Sequence, residues 1–338
     1  MSSLLEVSDL KKFYKVDRSL GREKIGSDNR RSRASFLHAV DGVSFSVSES
    51  EAVGLVGESG CGKSTLSRLL AKLLDATSGS VRFCGDEIGP IAADSFTENP
   101  YRSNIQMVFQ DPIDSLNPRF SAFDVIADPL RRLKHTKGQM LDSHVEAAAR
   151  AVGLPGELLS RFPHQLSGGQ LARIGIARAI SVNPKLLILD EPTSSLDVSI
   201  QAIILKLLDG LRRQTKIAYF FVSHDLNVVR LICDRVLVMY LGIVVEAGPA
   251  DIIFRIPHHP YTKALISAIP QIDPELREIK LRVDGEPLSP IDVPQDRCRF
   301  AERCPFVASK CRLERPPMRE VEPAHWVACH FPLGIGRD

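Results

Sequence analysis

The sequence predicts an α/β fold in which a parallel sheet carries a glycine-rich loop at one edge. One observation is the apolar run Ala52–Val56, which suits a buried strand and is followed by glycines and then by leucines at helical spacing. A second is a helical pattern between apolar runs at 186–189 and 217–222, as a parallel β-α-β unit requires. Residues 235–239 and 243–246 then predict a hairpin that closes the core.

The segment after the first of these strands matches the phosphate-loop pattern G-x-x-x-x-G-K-[ST]. Its glycines allow successive backbone N–H groups to turn toward an anion, and the start of the next helix adds positive potential. We expect Lys63 to reach the outer phosphates of a nucleotide and Ser64 to bind Mg²⁺. A purely structural glycine turn is the alternative, which the flanking strand and helix disfavour. The residues predicted to bind nucleotide are Gly57, Glu58, Ser59, Gly60, Cys61, Gly62, Lys63, Ser64 and Thr65.

Two adjacent carboxylates follow the apolar run at 186–189. Asp190 is predicted to hold Mg²⁺ together with Ser64. Glu191 points elsewhere and is the predicted general base that polarises the attacking water. An acidic pair that only ends a strand is the alternative, and the preceding apolar residues and Lys63 disfavour it.

The sequence Leu-Ser-Gly-Gly-Gln at 166–170 lies upstream of the carboxylate pair. Together with the phosphate loop, these motifs resemble the ATP-binding subunits of ABC transporters. The resemblance implies a P-loop ATPase core with an inserted helical subdomain at about 111–166. It also implies that four residues at the start of a helix contact ATP on the loop of a partner subunit, where they offer a second anion cradle. These residues are Ser167, Gly168, Gly169 and Gln170.

The resemblance gives roles to three further side chains. Gln110 matches the glutamine that contacts Mg²⁺ and takes part in catalysis, and His224 matches the switch histidine of the catalytic site. Tyr14 falls where an aromatic ring stacks on adenine. Without the resemblance, a glutamine or histidine after a strand is an ordinary polar residue of a turn, and an aromatic on a strand is a core residue.

Composition limits the possible functions. The chain has 338 residues, of which 44% are hydrophobic, enough for one large α/β domain and a smaller appendage. Its net charge of +2 gives no overall attraction to nucleic acid. The basic segment at 18–33 is interpreted as a solvated loop rather than a contact for nucleic acid or lipid headgroups. We find no signal peptide and no apolar stretch of about eighteen residues, so the chain itself is not expected to cross a membrane.

A second pattern begins beyond about residue 248. The sequence His-His-Pro-Tyr-Thr-Lys-Ala-Leu at 258–265 and the proline-rich stretch after it resemble the C-terminal extension of oligopeptide and dipeptide transporter ATPases. We therefore expect an ABC ATPase domain at 1–250 and this extension at 251–338.

Four of the seven cysteines gather in the extension, at Cys298, Cys304, Cys311 and Cys329. In a cytosolic ATPase, gathered cysteines favour metal ligation by thiolates over disulfides. The resemblance implies that they hold a [4Fe-4S] cluster. Spacing does not decide the metal, because a tetrahedral Zn-Cys₄ site would satisfy the same thiols, and thiols without metal are a third possibility.

The resemblance implies an ATP-hydrolysing subunit that powers import of peptides or related small solutes from the cytoplasmic face of the inner membrane. The segments 58–63 and 173–179 look like the F-type ATPase of these systems. The implied partners are a D-type ATPase in a heterodimer, two transmembrane permeases and an extracytoplasmic substrate-binding protein, without nucleic acid. The solute stays open, because the other subunits select it.

Two alternatives have a different function. One is a soluble ABC-type ATPase of DNA repair or translation, but such proteins carry long coiled coils or two ATPase units, and the sequence has neither. The other is a module that binds ATP without hydrolysis, which the presence of Lys63, Glu191 and His224 disfavours.

Overall fold

The structure is a computed structural model that describes residues 3–16, 35–111, 115–269, 281, 283, 285 and 289–335. The basic segment at 18–33 and most of the proline-rich stretch after residue 269 lie outside the described residues.

Strands and helices alternate through most of the described chain. The strands are β1 Ser3–Val16, β2 Ser35–Ser48, β3 Ala52–Val56, β4 Ser78–Phe83, β5 Asp86–Glu87, β6 Ile105–Val108, β7 Leu186–Asp190, β8 Ala218–Val222, β9 Arg235–Tyr240, β10 Ile243–Pro249, β11 Arg319–Glu322 and β12 His325–Val327. The α-helices are α1 Lys63–Leu70, α2 Ala122–Leu133, α3 Gly138–Ala151, α4 Gly168–Ile180, α5 Val198–Thr215, α6 Leu226–Ile232, α7 Ala250–Arg255, α8 Pro260–Ser267 and α9 Ser309–Leu313.

An eight-stranded sheet with the order β11-β12-β10-β9-β3-β8-β7-β6 forms the centre of the fold. The strands from β9 to β6 are parallel, as predicted. The predicted hairpin is also present, since β10 pairs antiparallel with β9, and β12 and β11 continue antiparallel beyond it. The sheet is therefore mixed, where the sequence predicted a parallel one, because a short hairpin can join only antiparallel neighbours.

The central sheet is buried on both faces. In β3, Val53 and Leu55 belong to one hydrophobic cluster, whereas Ala52 and Val56 belong to the other, as the alternation of a strand requires. One cluster includes residues of α1 and of the small antiparallel sheet β2-β1-β4-β5. The other includes residues of the helices α2 to α7. Burial on both faces explains why the strand sequences are continuous apolar runs.

A group of helices lies between β6 and β7, in the region where the sequence predicts a helical subdomain. The N-terminus of α2 is capped by Ser121, whose hydroxyl accepts a hydrogen bond from the amide of Asp124 at 3.2 Å. Helix α3 begins at Gly138 and ends at Ala151. Both helices pack against α4, which carries the Leu-Ser-Gly-Gly-Gln sequence at its start.

The C-terminal residues return to the main body of the fold. The hairpin β11–β12 adds two strands to the edge of the central sheet through β10. In the part of the chain that the structure describes, no helix is long and apolar enough to cross a membrane.

Candidate active site

The phosphate loop joins β3 to α1, and close approach requires two of its glycines. A Cβ atom on Gly62, whose φ is 110°, would lie 1.9 Å from the carbonyl oxygen of Ala39. A Cβ atom on Gly57 would lie 2.2 Å from the carbonyl oxygen of Met239. Neither separation is possible for a real side chain, so the loop can lie against β2 and β9 only with glycine at these positions.

Lys63 is the first residue of α1, and its ammonium group lies within the loop. Its Nζ atom donates hydrogen bonds to the carbonyl oxygens of Gly57, at 2.8 Å, and Glu58, at 3.0 Å. The residue is only 6% exposed. This buried positive charge and the amides of the first turn of α1 together form a site suited to an anion.

Ser64 and Asp190 face each other across the end of the sheet. The Ser64 Oγ atom lies 3.4 Å from Oδ1 of Asp190. Burial raises the pKa of the Asp190 carboxyl, and the neighbouring charge of Glu191 raises it further. A buried carboxylate with a raised pKa is stabilised by a cation, and a hydroxyl and a carboxylate oxygen are ligands that Mg²⁺ accepts.

Glu191 meets the other two predicted catalytic side chains. Its Oε2 atom lies 2.9 Å from Nδ1 of His224 and 3.3 Å from Nε2 of Gln110. Glu191 has a φ of 48°, in the left-handed region that costs a non-glycine residue about 1–3 kcal/mol. The turn after β7 therefore holds the carboxylate in a strained position between residues from two other strand ends.

Two cavities open around these groups. One, of about 800 Å³, is lined by Ser64, Gln110, Asp190 and Glu191 together with other residues. The second, of about 360 Å³, shares Ser64, Gln110 and Glu191 with the first and also contacts Tyr14. Tyr14 is half-buried, and it lies on the same cavity as Gly60, Lys63 and Thr65.

The structure does not bring the residues of 167–170 to either cavity. Ser167 caps the N-terminus of α4, where its hydroxyl accepts a hydrogen bond from the Gln170 amide at 3.4 Å. The Gln170 side chain in turn accepts one from the Ser167 amide at 2.9 Å. Ser167 and Gly168 are exposed, so this helix start is open to another molecule.

The sequence did not predict contacts between the C-terminal extension and the phosphate loop. Arg303 makes a two-pronged ion pair with the Glu58 carboxylate, at 2.8 and 3.0 Å. The hydroxyl of Tyr261 accepts a hydrogen bond from the Glu58 amide at 2.8 Å. The backbone amide and the side-chain carboxylate of Glu58 therefore both contact the extension. Tyr261 belongs to the recognised 258–265 pattern, but no sequence signal marked Arg303.

The four cysteines of the extension are close to one another. All are free thiols. Burial, with a smaller contribution from the neighbouring cysteines, raises the pKa of Cys298 to about 11 and that of Cys329 to about 12. Burial and the nearby Cys311 also raise the pKa of Cys304, so the four thiols lie within electrostatic range of one another.

Comparison with known proteins agrees with this architecture. Residues 40–194 match the ABC transporter family, and residues 245–311 match the family described as oligopeptide/dipeptide transporter, C-terminal region. A solved structure of the ATP-binding cassette MJ0796, dimeric and bound to ADP and Pi, has a TM-score of 0.61. It is 26% identical, and the match covers 73% of this chain and 98% of that chain. The fold and its phosphate loop thus define an ATPase of the ABC transporter class.

Relatives of similar length narrow the family. The oligopeptide transport ATP-binding protein OppF of Salmonella typhimurium is 46% identical over 96% of this chain and 95% of its own length. The di/tripeptide transport ATP-binding protein DppF of Pseudomonas aeruginosa is 42% identical over 98% of both chains. The chain belongs to the ATP-binding subunits of the oligopeptide and dipeptide ABC importers.

Proposed function

We propose that this chain drives solute import by hydrolysing ATP at the site formed by the phosphate loop and the ends of β6, β7 and β8. The observation that carries this proposal is the meeting of Gln110, Glu191 and His224 beside the Ser64–Asp190 pair. These side chains come from distant parts of the sequence, and the parallel strands bring them to one edge of the sheet.

The phosphate end of the site is assigned to the loop. Lys63 binds the β- and γ-phosphates, and the loop amides surround them. Ser64, Gln110 and Asp190 hold Mg²⁺, which neutralises charge on the phosphates when it is bound. The hydroxyl, the amide oxygen and the carboxylate are all oxygen ligands, which this hard cation prefers.

Glu191 is assigned as the general base. Its carboxylate lies between His224 and Gln110, so both neighbours can orient it toward an attacking water. Tyr14 is the candidate for stacking on adenine, because it lines the cavity that also contacts Lys63 and Thr65.

The exposed start of α4 completes the site of another subunit. Ser167 and the amides of Gly168 and Gly169 lie at an exposed helix N-terminus, where an anion is favoured. When two subunits close with ATP between them, these groups would bind the phosphates of the nucleotide on the partner's loop. Loss of the γ-phosphate after hydrolysis would break these contacts and release the interface.

The four cysteines of the extension are proposed to hold a [4Fe-4S] cluster. Their mutual electrostatic influence and free state support a shared metal centre. A tetrahedral Zn-Cys₄ site would use the same thiols, so the metal content of the purified chain decides between the two. The role of the cluster in this proposal is to hold the extension together.

The assembly proposed for this chain follows its relatives. We place it as an F-type ATPase at the cytoplasmic face of the inner membrane, paired with a D-type ATPase and docked on two permeases that receive solute from a binding protein. Residues 1–250 act as the ATPase domain in this scheme and 251–338 as the extension. The contacts of Glu58 with Tyr261 and Arg303 join the two parts at the phosphate loop.

The substitution Gly168→Asp tests the composite site. It places a carboxylate where the partner's γ-phosphate docks, while the nearest atom to a new Cβ is 3.4 Å away, so the chain itself can fold. We expect unchanged ATP binding to this chain's own loop and a fall in ATPase activity of the assembled complex of about 100-fold or more.

A matched control for this substitution is Gly156→Asp. A Cβ on Gly156 meets nothing within 4 Å, and the residue is exposed outside the proposed interface, so the same added charge should leave activity unchanged. Parental ATPase and transport rates in the Gly168→Asp complex would rule out the role of α4 in the partner's site.

A further inference from the structure

Two buried histidines and a glutamate lie close together at the C-terminal hairpin β11–β12. His258 precedes α8, Glu322 ends β11 and His325 begins β12. The histidine rings lie 4.7 Å apart between centroids, and their side chains are 2% and 0% exposed. The three residues lie outside the ATP site and are not among the four clustered cysteines.

The surroundings of His258 determine which of its ring nitrogens carries the hydrogen. The Nδ1 atom makes a hydrogen bond with the carbonyl oxygen of Leu333. A carbonyl oxygen can only accept, so Nδ1 is the donor. In the neutral ring, the lone pair therefore lies on Nε2.

His325 is oriented in the same way by a buried carboxylate. Its Nε2 atom lies 2.8 Å from Oε1 of Glu246. The amides of His258 and His259 donate to the same carboxylate at 2.7 and 3.0 Å. Both oxygens of this carboxylate accept hydrogen bonds, so Nε2 of His325 is the donor, and in the neutral ring the lone pair lies on Nδ1.

Both lone pairs are buried without a hydrogen-bond partner. Within the described residues, Nε2 of His258 and Nδ1 of His325 are two of the five buried side-chain atoms that lack one. Buried polar atoms in this state are uncommon in folded proteins and call for an explanation such as a bound ion.

The two nitrogens face the Glu322 carboxylate at distances that suit a shared cation. Glu322 Oε1 lies 3.5 Å from Nε2 of His258, and Oε2 lies 3.9 Å from Nδ1 of His325. One ligand atom from each of the three residues lies within 4.8 Å of the other two. Ligand atoms on a tetrahedral zinc ion lie roughly 3.3 Å apart, so a small inward movement of the half-exposed Glu322 would complete such a site.

We propose that His258, Glu322 and His325 bind a divalent transition-metal ion of the zinc class. Two imidazoles and one carboxylate form a common ligand set for such ions, and the Glu322 side, 42% exposed, leaves room for a water as the fourth ligand. Leu333 and Glu246 supply the outer hydrogen bonds that fix ligating histidines in metal proteins.

The bound ion would link three parts of the chain. It would tie the β11–β12 hairpin to the segment before α8, and through Glu246 to β10 of the central sheet. Because imidazole and carboxylate ligands bind the ion only in the folded chain, the ion would stabilise the attachment of the extension to the ATPase body.

The test is a Zn²⁺ titration of the full-length chain, followed by calorimetry and by thermal unfolding, with the variant Glu322→Gln. We expect this substitution to weaken one Zn²⁺-binding event at least 10-fold and to reduce the rise in Tm that Zn²⁺ produces. The control is Glu320→Gln in the same strand, which keeps an oxygen to accept from the Ala324 amide and should bind Zn²⁺ like the parent.

A second measurement separates this site from the cysteines, because thiolates are also zinc ligands. In chain labelled with ¹⁵N-histidine, Zn²⁺ should shift Nε2 of His258 and Nδ1 of His325 in NMR spectra, because these atoms bind it directly. Equal Zn²⁺ binding by the parent and Glu322→Gln, or ring nitrogens that do not respond, would overturn the proposal. Rings that are protonated and ion-paired with Glu322 at neutral pH, and indifferent to Zn²⁺, would overturn it as well.

Discussion

The ATP site and the C-terminal extension are assembled in different ways. Gln110 and His224 lie just beyond the ends of parallel strands, Asp190 ends another, and the sheet places all three at one edge. The extension instead depends on short elements, buried ion pairs and side-chain clusters such as that of His258 with His325. The first region follows from strand order, whereas the second requires long-range contacts that no local pattern encodes.

The two regions nevertheless touch at one residue of the phosphate loop. The Glu58 carboxylate forms an ion pair with Arg303, and the Glu58 amide donates a hydrogen bond to the hydroxyl of Tyr261. Arg303 is adjacent to Cys304, so the cysteine cluster, although distant in sequence, lies one residue from a contact with the nucleotide loop. Substitutions on each side of this contact separate the chemistry of the ATP site from the support that the extension gives it.

The largest effect is expected from Glu191→Gln. The amide keeps the shape of the side chain but cannot accept a proton, so turnover of the assembled complex should fall about 10²–10⁴-fold. ATP affinity, measured by calorimetry, should stay at the parental value. Glu157→Gln, an exposed change outside the site, is the control. Parental turnover in the Glu191 variant would remove this residue from the role of base.

Lys63→Ala should weaken ATP binding itself. It removes the buried charge that faces the phosphates, and a charge-assisted hydrogen bond contributes about 1.5–3 kcal/mol, or roughly 10–100-fold in affinity. The exposed Lys206→Ala on α5 provides the comparison for a lost surface charge. Equal ATP affinity of the Lys63 variant and the parent would contradict the phosphate-loop assignment.

Cys304→Ser should change the stability of the extension more than the chemistry of the ATP site. Anaerobically purified parent should be brown and contain iron and sulfide, whereas the variant should lose most of both and unfold at a lower temperature. The half-buried, isolated Cys84→Ser should keep the parental metal content. Colourless parent protein whose bound zinc is lost in Cys304→Ser would replace the cluster but keep its ligands.

Arg303→Gln breaks the link between the regions directly. Loss of the two-pronged ion pair with Glu58 should loosen the loop and weaken ATP binding about 2–10-fold, less than the loss of Lys63. Arg312→Gln, which removes an exposed ion pair elsewhere in the extension, should leave ATP binding unchanged. Identical affinities for both variants would show that the extension supports the fold without influencing the loop.

The smallest effect is a gain in stability from Asp190→Asn without nucleotide or Mg²⁺. Burial and the charge of Glu191 raise the pKa of Asp190, so its ionised form destabilises the folded chain. The parent loses stability as the pH rises from the ordinary aspartate pKa through the raised value. The variant should therefore have the higher Tm at neutral pH, and the difference should vanish in acid. A lower Tm for the variant at neutral pH would contradict this account.

The sequence by itself determined the phosphate loop, the strand-end carboxylates and the predicted hairpin. Each rests on local chemistry, such as glycines that permit the turn around Lys63 or a continuous apolar run that is buried on both faces. Gln110 and His224 were assigned to the same site through the resemblance to ABC ATPases, before their distances from Glu191 were known.

Only the tertiary structure decided the mixed order of the sheet and the attachment of the extension. The hairpin β11–β12 joins β10 from more than sixty positions away along the chain, and Arg303 reaches Glu58 across a separation of 245 residues. Pairings over such distances are selected by the packing of the whole fold and leave no period or spacing in the sequence. The unpaired nitrogens of His258 and His325 likewise became apparent only when distant segments placed both rings together.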